Sequence, residues 1–421
     1  MADSTATERA IDAVWRIESA RVIAVLARMT GDVGVAEDLA QDALVAALEQ
    51  WPRTGVPANP GAWLTATAKN RAIDGLRHRE MARRKHEQIG RDVELDQRHA
   101  EQDLAAQVDD DIGDDLLSLI FTACHPVLSQ PARIALTLKL IGALSTAEIA
   151  RAFLASESTV AQRIVRAKRT LAEARVPIET PSGDERDERL ASVLEVVYAI
   201  FNEGYSATAG DDWMRPELCA DALRLGRILA GLAPDEPEVH GLVALMEIQA
   251  SRTRARVDRD GDPVLLLDQD RARWDRLLIR RGLEALDRAY ATRKTLGPYT
   301  LQAAIAACHA RATKPEDTDW EAIAALYDAL TQITKSPVVE LNRGVAFAMA
   351  YGPEAGLEIV DALVTNPALK GYHLLPSVRG DLLFRLGRLD AARTEFELAA
   401  SQTANRRERA LLLTRAERCA D

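Results

Sequence analysis

Apolar positions recur every three or four residues along most of this chain, the spacing of helices that bury one face. Period-two alternation, the mark of half-buried strands, is nearly absent. The clearest stretch runs from Ser145 to Leu171. Ser145 is followed three residues later by Glu148, a capping-box pattern that starts a helix, and Ile149, Ala150 and Phe153 give that helix an apolar side. The run LASES breaks the period, and Ser156 or Ser158 can cap a second helix. There Val160, Ile164, Ala167 and Leu171 form a buried stripe, while Thr159, Gln162, Arg163, Arg166 and Arg169 take the other side. Leu154 stands where many such turns carry glycine. Two short helices with a sharp turn and a basic outer face have the helix-turn-helix layout. An ordinary amphipathic pair in an all-helical protein fits this segment equally well.

Two earlier stretches have the same period. In AEDLAQDALVAALEQW, Asp38, Gln41, Asp42 and Glu49 share one side of a helix. In NPGAWLTATAKNRAIDGLRHRE, Asn59 caps and Pro60 occupies a first helical position. Leu64, Ala68, Ala72 and Leu76 face inward there, with Asn70, Asp74 and Arg77 opposite and Lys69 and Arg71 flanking. On charge alone these are solvated faces, with Asp74 pairing with Arg71 or Arg77. Residues 10–80 read as compact helices, 85–112 as a polar linker with few apolar anchors, and 113–175 as a second helical unit. VPIETPSGDERDE is a hinge rich in Pro, Gly and charge. Everything after it is helical again, with loops at TAGDDWMRPE, GLAPDEPE and RVDRDGDP. Near the end, Gly344, Phe347, Gly356, Val360 and Leu363 match Gly380, Leu383, Ala392, Phe396 and Ala399 in spacing. The first glycines of the two sets are 36 residues apart, near the period of about 34 of a tetratricopeptide (TPR) repeat. Small residues there let paired helices pack closely and stack.

Composition agrees with helices: 47% of the 421 residues are hydrophobic but only 5% aromatic, and Ala, Leu and Arg are plentiful. No stretch approaches the roughly 20 apolar residues of a membrane span, and the N-terminus lacks a signal-peptide pattern, so the expected location is the cytoplasm. Cys124, Cys219, Cys308 and Cys419 lie far apart with no CxxC pair, which argues against a zinc knuckle or disulfide framework. Cys124-His125 and Cys308-His309 read as a buried thiol beside a partly exposed imidazole rather than a metal site. There is no phosphate-binding glycine loop, HExxH or GxSxG, so the sequence predicts neither an enzyme nor a cofactor. Glu203, Asp211 and Asp212 in FNEGYSATAGDDW fit a packed helix end with a polar loop better than a catalytic set. The net charge of −11 opposes nucleic-acid binding, but the signs are segregated. From Trp63 to Arg91 there are eight basic and three acidic residues, and from Glu101 to Asp115 seven acidic and none basic. Two basic patches joined by an acidic strap suit contact with a polyanion at two separated places.

In combination these motifs resemble the bacterial extracytoplasmic-function (ECF) sigma factors across residues 10–175. FTACHP, ARAFL, AQRIVRAKR and the downstream FNEGYSAT are similar to the subgroup with a long TPR-like C-terminal extension. The resemblance implies an all-α fold in four parts. Residues 1–85 would be the region 2 domain, 86–112 an acidic linker, 113–176 the region 4 domain with the helix-turn-helix, and 177–421 a large TPR-like helical domain. It implies that Asp38, Gln41 and Asp42 dock on the RNA polymerase core, a carboxylate-rich face for a basic partner helix. It implies that Asn59, Trp63, Lys69, Asn70, Arg71 and Arg77 serve the minus-ten element, where a base leaves the stack and cations hold the backbone. For Trp63 a stacking platform and a core wedge are equally good readings. Ser158, Thr159, Gln162, Arg163, Arg166, Lys168 and Arg169 would serve the minus-thirty-five element. There Arg163 and Arg166 suit guanine, Gln162 suits adenine, and Lys168 and Arg169 suit phosphate.

A helix-turn-helix regulator with a TPR sensor, which binds duplex DNA but never joins polymerase, explains Ser145–Leu171 and the C-terminal half but leaves residues 36–80 without a purpose. The partners expected are therefore the polymerase core and promoter DNA, with no membrane. The C-terminal half carries a net charge of −8, which opposes DNA binding. A TPR-like groove suits a peptide or a neighbouring helix, so the sequence predicts either intramolecular contact with a sigma domain or an unidentified protein or peptide partner.

Overall fold

The computed structural model describes residues 2–87, 112–206, 214–259, 262–403 and 405–419; of residues 2–6, 74–87 and 112 only the backbone is described. Among the described residues there are eighteen α-helices and no strand beyond one isolated bridge between Val257 and Pro263. The chain forms two compact units, Met1–Val196 and Val197–Asp421.

In the first unit, α1 (Ala2–Thr30), α2 (Val33–Thr54) and α3 (Pro60–Glu87) pack on one another. Their shared core is built from Val22, Ile23 and Leu26 of α1, the alanine stripe Ala36, Ala40, Ala43 and Ala47 of α2 with Trp51 at its end, and Leu64, Ala68 and Ala72 of α3. Alanine on the inner face lets α2 lie close to its neighbours. Gly31 takes φ +66°, a left-handed turn after α1 that suits glycine. Asp32 then caps α2 by accepting from the Gly34 and Val35 amides at 2.7 and 3.0 Å.

The second part of this unit holds α4 (Ile112–Ala123), α5 (Gln130–Leu140), α6 (Thr146–Ala152), α7 (Glu157–Glu173) and the first half of α8 (Asp184–Tyr205). Leu119, Phe121, Leu136, Leu138, Leu140 and Ile141 are almost wholly buried. The chain just past the expected hinge at Val176–Glu188 is tied to these helices. The Arg189 guanidinium donates to the Phe121 carbonyl at 3.1 Å, the Ser192 hydroxyl donates to the Cys124 carbonyl at 2.6 Å, and Arg133 pairs with Glu195 at 3.2 Å. The compact units divide at Val196–Val197, inside α8, rather than at Val176.

The second unit continues with α9 (Pro216–Leu232), α10 (Pro237–Ser251), α11 (Arg276–Ala291), α12 (Pro298–Arg311), α13 (Trp320–Ile333), α14 (Pro337–Tyr351), α15 (Pro353–Asp361), α16 (Leu374–Arg385), α17 (Leu389–Gln402) and α18 (Arg406–Glu417). Five of these begin with proline, whose missing N–H costs nothing in the first turn. Helix α10 is buried on nearly every side, with α9, α11 and α12 against it. Its Glu238 accepts from the Gly297, Tyr299 and Thr300 amides at 2.8–3.1 Å. A carboxylate there both caps α12 and complements its dipole.

From α13 onward each helix packs on the next. The positions matched by the repeat spacing lie at the contacts: Val360, Leu383, Ala392, Phe396 and Ala399 are buried. A Cβ on Gly356 would stand 2.5 Å from the Gly344 carbonyl oxygen, and one on Gly380 would stand 2.9 Å from the Phe396 ring.

The two Cys-His pairs differ. Cys124 is buried beside the Thr137 hydroxyl at 3.3 Å, and burial pushes its thiol up to about 11, while His125 is partly exposed as expected. At the second pair the order is reversed. His309 is the buried member, and burial, then Arg252 and Arg271, lower it to about 4, while Cys308 is half-buried. The difference arises because residue 309 falls on the face of α12 that packs edge-on against Trp320 at 5.1 Å.

Gly356→Val is expected to lower stability by about 1–3 kcal/mol, because the obstructing atoms are the Ala348 methyl and backbone of α14, neither of which can swing aside. Thermal unfolding followed by circular dichroism measures this. A melting temperature equal to the wild type would show that α14 and α15 separate at no cost.

Candidate polymerase and nucleic-acid interfaces

On α2, Asp38, Gln41, Asp42, Val45, Leu48 and Glu49 are exposed and recur at helical spacing opposite the alanine stripe. The sequence reading named the polar members only. Val45 and Leu48 are 50% and 45% exposed, so the face is acidic and apolar together. The available signal was their position off the alanine stripe. One acidic residue departs from the pattern: Glu37 is buried, and it accepts from the Gln41 side-chain amide at 2.8 Å.

Helix α3 begins beside this face. Asn59 caps it by accepting from the Ala62 amide at 3.1 Å. Trp63 is half-buried and lies edge-on to buried Trp51, with ring centroids 5.3 Å apart at 66°. Part of the ring thus meets the core and part stays exposed, which is compatible with both readings of it. Lys69 is half-buried, while Asn70 and Arg71 are exposed. Arg71 approaches Asp42 at 3.8 Å, which links the two faces. Both side chains are solvated, so the pair contributes no more than about 1 kcal/mol. The side chain of Arg77 lies outside the described residues.

The turn between α6 and α7 follows from its caps. Ser145 and Glu148 form the reciprocal capping box, with the Glu148 amide donating to the Ser145 hydroxyl at 3.2 Å and the Ser145 amide donating to the Glu148 carboxylate at 2.8 Å. Ser156 caps α7 by accepting from the Thr159 amide at 3.1 Å. Between them Leu154 takes φ +48° and is 60% exposed. The turn thus reaches a left-handed conformation without glycine, at a cost to any residue bearing a Cβ.

Helix α7 buries Val160, Ile164, Ala167 and Leu171. Ser158, Thr159, Gln162, Arg166 and Arg169 are exposed and Arg163 partly so. The outer face also carries Val165, 64% exposed, which the sequence reading missed. Its signal was an apolar residue one step off the buried stripe. Arg169 pairs with Glu173 at 2.7 Å. Lys168 departs from the expected phosphate face: its side chain is 19% exposed and its ammonium meets the Glu37 carboxylate on α2.

In the second unit, Glu203 pairs with Arg215, joining the end of α8 to the start of α9. This is a packed helix end. Asp211 and Asp212 lie outside the described residues. None of the described helices is long and apolar enough to cross a membrane.

Comparison with known families matches three parts of the chain. Residues 16–81 match sigma-70 region 2, residues 118–171 match sigma-70 region 4, and residues 189–290 match a family of unknown function, DUF6596. An uncharacterized protein of Rhizobium meliloti (strain 1021) is 45% identical over 390 residues, covering 92% of this chain and 90% of that one. No solved structure matches significantly. The chain belongs to the sigma-70 family, as an ECF-type sigma factor with an additional C-terminal domain. Sigma factors direct RNA polymerase core to promoter DNA, and this is a family of binding subunits rather than enzymes. The region 2 match covers residues 36–80, which the regulator reading left unexplained.

Leu154→Gly is expected to raise the stability of the region 4 helices by about 0.5–1 kcal/mol, the left-handed strain relieved exceeding the entropy glycine adds to the unfolded chain. Hydrogen exchange at the α6 and α7 amides reads this. Faster exchange in the variant would mean that Leu154 contributes packing that outweighs its strain.

Proposed function

We propose that α2 docks on the polymerase core through Asp38, Gln41 and Asp42 with Val45 and Leu48, while α3 serves the minus-ten element and α7 reads the minus-thirty-five element. The observation that supports this most is the division of exposed chemistry. Helix α2 presents carboxylates and aliphatics to a protein, and the outer face of α7 presents cations, amide and hydroxyl to a duplex. In α7, Arg163 and Arg166 suit guanine, Gln162 suits adenine, and Val165 beside them suits a thymine methyl group. Ser158, Thr159 and Arg169 complete the face. Asn59 holds the start of α3 in shape, and Lys69, Asn70, Arg71 and Arg77 supply contacts to the separated strand. In this reading the chain performs no bond chemistry itself and works in the cytoplasm, where polymerase and DNA are.

The test is run-off transcription with core polymerase, together with co-purification. Asp38→Lys with Asp42→Lys is expected to weaken core binding at least tenfold without unfolding the protein, since both side chains are exposed. Arg166→Ala is expected to cost about 1–3 kcal/mol and relax specificity at one minus-thirty-five position. Unchanged core affinity in the first variant would mean that the docking face lies elsewhere. A loss uniform across promoter sequences in the second would reduce Arg166 to a phosphate contact.

The C-terminal half is read as a scaffold that supports activity through protein contact, as a TPR-like stack offers a surface for a peptide or helix. The close glycine contacts at Gly356 and Gly380 support the stack, and its charge of −8, counted from residue 177, opposes DNA. Removing it tests this. The cut belongs after Val196, since Arg189, Ser192 and Glu195 are bonded to the region 4 helices. Residues 1–196 are expected to lose transcription relative to the full chain. Equal activity would make the C-terminal half independent of initiation, and a gain would make it an inhibitor.

A further inference from the structure

The stretch between α10 and α11, residues 252–275, carries six arginines and six aspartates, yet the two signs are used differently. The aspartates serve the backbone or the outside. Asp258 accepts from the Asp262 amide at 2.8 Å and Asp270 from the Ala272 amide at 2.9 Å. Asp275 caps α11 by accepting from the Leu277 and Leu278 amides at 2.9 and 3.2 Å. Asp262 pairs with Arg407 at 2.8 Å. Three of the arginines turn inward instead. Arg252, Arg256 and Arg271, together with Trp274, are only 3–8% exposed. Arg252 donates to the Tyr205 hydroxyl at 2.7 Å and to the Gln249 side chain. Arg271 donates to the His309 and Ala312 carbonyls and to the Thr318 hydroxyl. The guanidinium carbons of Arg252 and Arg271 lie 5.8 and 5.1 Å from the centre of the Trp274 ring, and that of Arg256 lies 3.5 Å from the centre of the Tyr205 ring.

Among the described residues, Arg252 and Arg271 therefore bond to neutral acceptors alone. The Nε of each, and the indole N–H of Trp274, are buried without an acceptor. A buried cation is costly unless an anion compensates it, and aromatic faces compensate in part. Burial, then the charge of Arg252, hold Arg271 below the ordinary arginine range, while Glu316 and Asp317 act less strongly in the other direction.

Beside this cluster is an open cavity of about 570 Å³, lined by Arg254, Val257, Ala272, Arg273, Trp274 and Asp275. Sites for small organic ligands span roughly 300–1,000 Å³. Trp274 is both a wall of the cavity and the neighbour of two buried guanidinium groups. Arg254 and Arg273 are exposed. Arg254 has no partner among the described residues, and Arg273 reaches the Val257 carbonyl at 3.4 Å. The one acid in the wall, Asp275, is engaged by the first amides of α11. A guanidinium fork matches two oxygens of a phosphate group. Several cations around one space favour a dianion over a monoanion, and Val257, Ala272 and Trp274 offer apolar surface to whatever carries it.

We propose that this cavity binds a small organic phosphate ester, with the phosphate on Arg254 and Arg273 and the organic body against Val257, Ala272 and Trp274. Arg252 and Arg271 add positive potential from beside the ring. The site lies wholly in the C-terminal half and gives it a ligand of its own, which goes beyond the sigma-factor reading and does not depend on it.

The test is isothermal titration calorimetry on the full chain, with neither polymerase nor DNA present. The probes are AMP, phenyl phosphate, inorganic phosphate and adenosine. AMP and phenyl phosphate are expected to bind one to one, inorganic phosphate more weakly, and adenosine not at all. Arg254→Ala with Arg273→Ala is expected to weaken AMP binding by about tenfold or more. Arg280→Ala with Arg288→Ala removes the same charge from exposed positions on α11 and is expected to leave the affinity unchanged. Ala272→Glu, also at an exposed position, puts a carboxylate in the wall and is expected to abolish binding in a protein that still melts cooperatively. No binding of any probe would overturn the proposal, as would full affinity in the Arg254 and Arg273 variant. Equal losses in the two arginine pairs would reduce the effect to net charge and overturn it too. Adenosine binding as tightly as AMP would remove the phosphate from the recognition, and inorganic phosphate binding as tightly would remove the organic body.

Discussion

Close approach of helices is the constraint on which the rest of this protein depends. With aromatics at only 5% of the chain, few large rings fill gaps, and cores must close by bringing backbones together. Alanine does this on α2, where Ala36, Ala40, Ala43 and Ala47 are almost fully buried. Glycine does it at Gly356, whose Cα faces the Gly344 carbonyl. Because a narrow inner face suffices for burial on α2 and α7, the opposite sides of these two helices remain outside. Such faces can carry polar side chains without a cost to the core, as those of α2 and α7 do.

Buried charge marks the places where packing alone does not set geometry. Arg271 donates to the His309 and Ala312 carbonyls at 2.9 and 2.7 Å and to the Thr318 hydroxyl at 2.9 Å, fixing the end of α12 against the next loop. Arg189 does the same for the Phe121 carbonyl. These arginines satisfy carbonyls that a helix end leaves without partners. Glu37 differs in kind, since both of its cationic partners, Lys139 and Lys168, lie on α5 and α7.

The periodic signals in the sequence led directly to the region 4 helices. The capping box at Ser145 and Glu148, the Ser156 cap and the stripe Val160, Ile164, Ala167 and Leu171 are properties of neighbouring residues in one helix, and the structure holds each of them. What periodicity could not show is which polar residue meets another element. Glu37 and Asp38 are adjacent acids on one helix, but one is buried and the other exposed. Lys168 sits one residue before Arg169, yet turns inward while Arg169 stays in solvent. Both outcomes depend on how α2 and α7 meet, which no local pattern encodes. The reversal at Cys308 and His309 has the same origin, because Trp320 and the two arginines reach His309 from other elements.

The boundary after region 4 carries the same lesson to the level of domains. Pro, Gly and charge at Val176–Glu188 mark a break in periodicity, and the helix after it reads as the start of something new. Its first turns instead supply Arg189 and Ser192 to backbone carbonyls of α4 and the turn after it, and Glu195 to Arg133. A break in helical pattern shows where the chain bends, while a domain boundary is set by where hydrogen bonds and buried surface end. Residues 189–195 therefore serve region 4 although they lie within the stretch that matches DUF6596. The first turns of α8 supply donors to the Phe121 and Cys124 carbonyls, so removing those turns would withdraw hydrogen bonds from the helices that position α7.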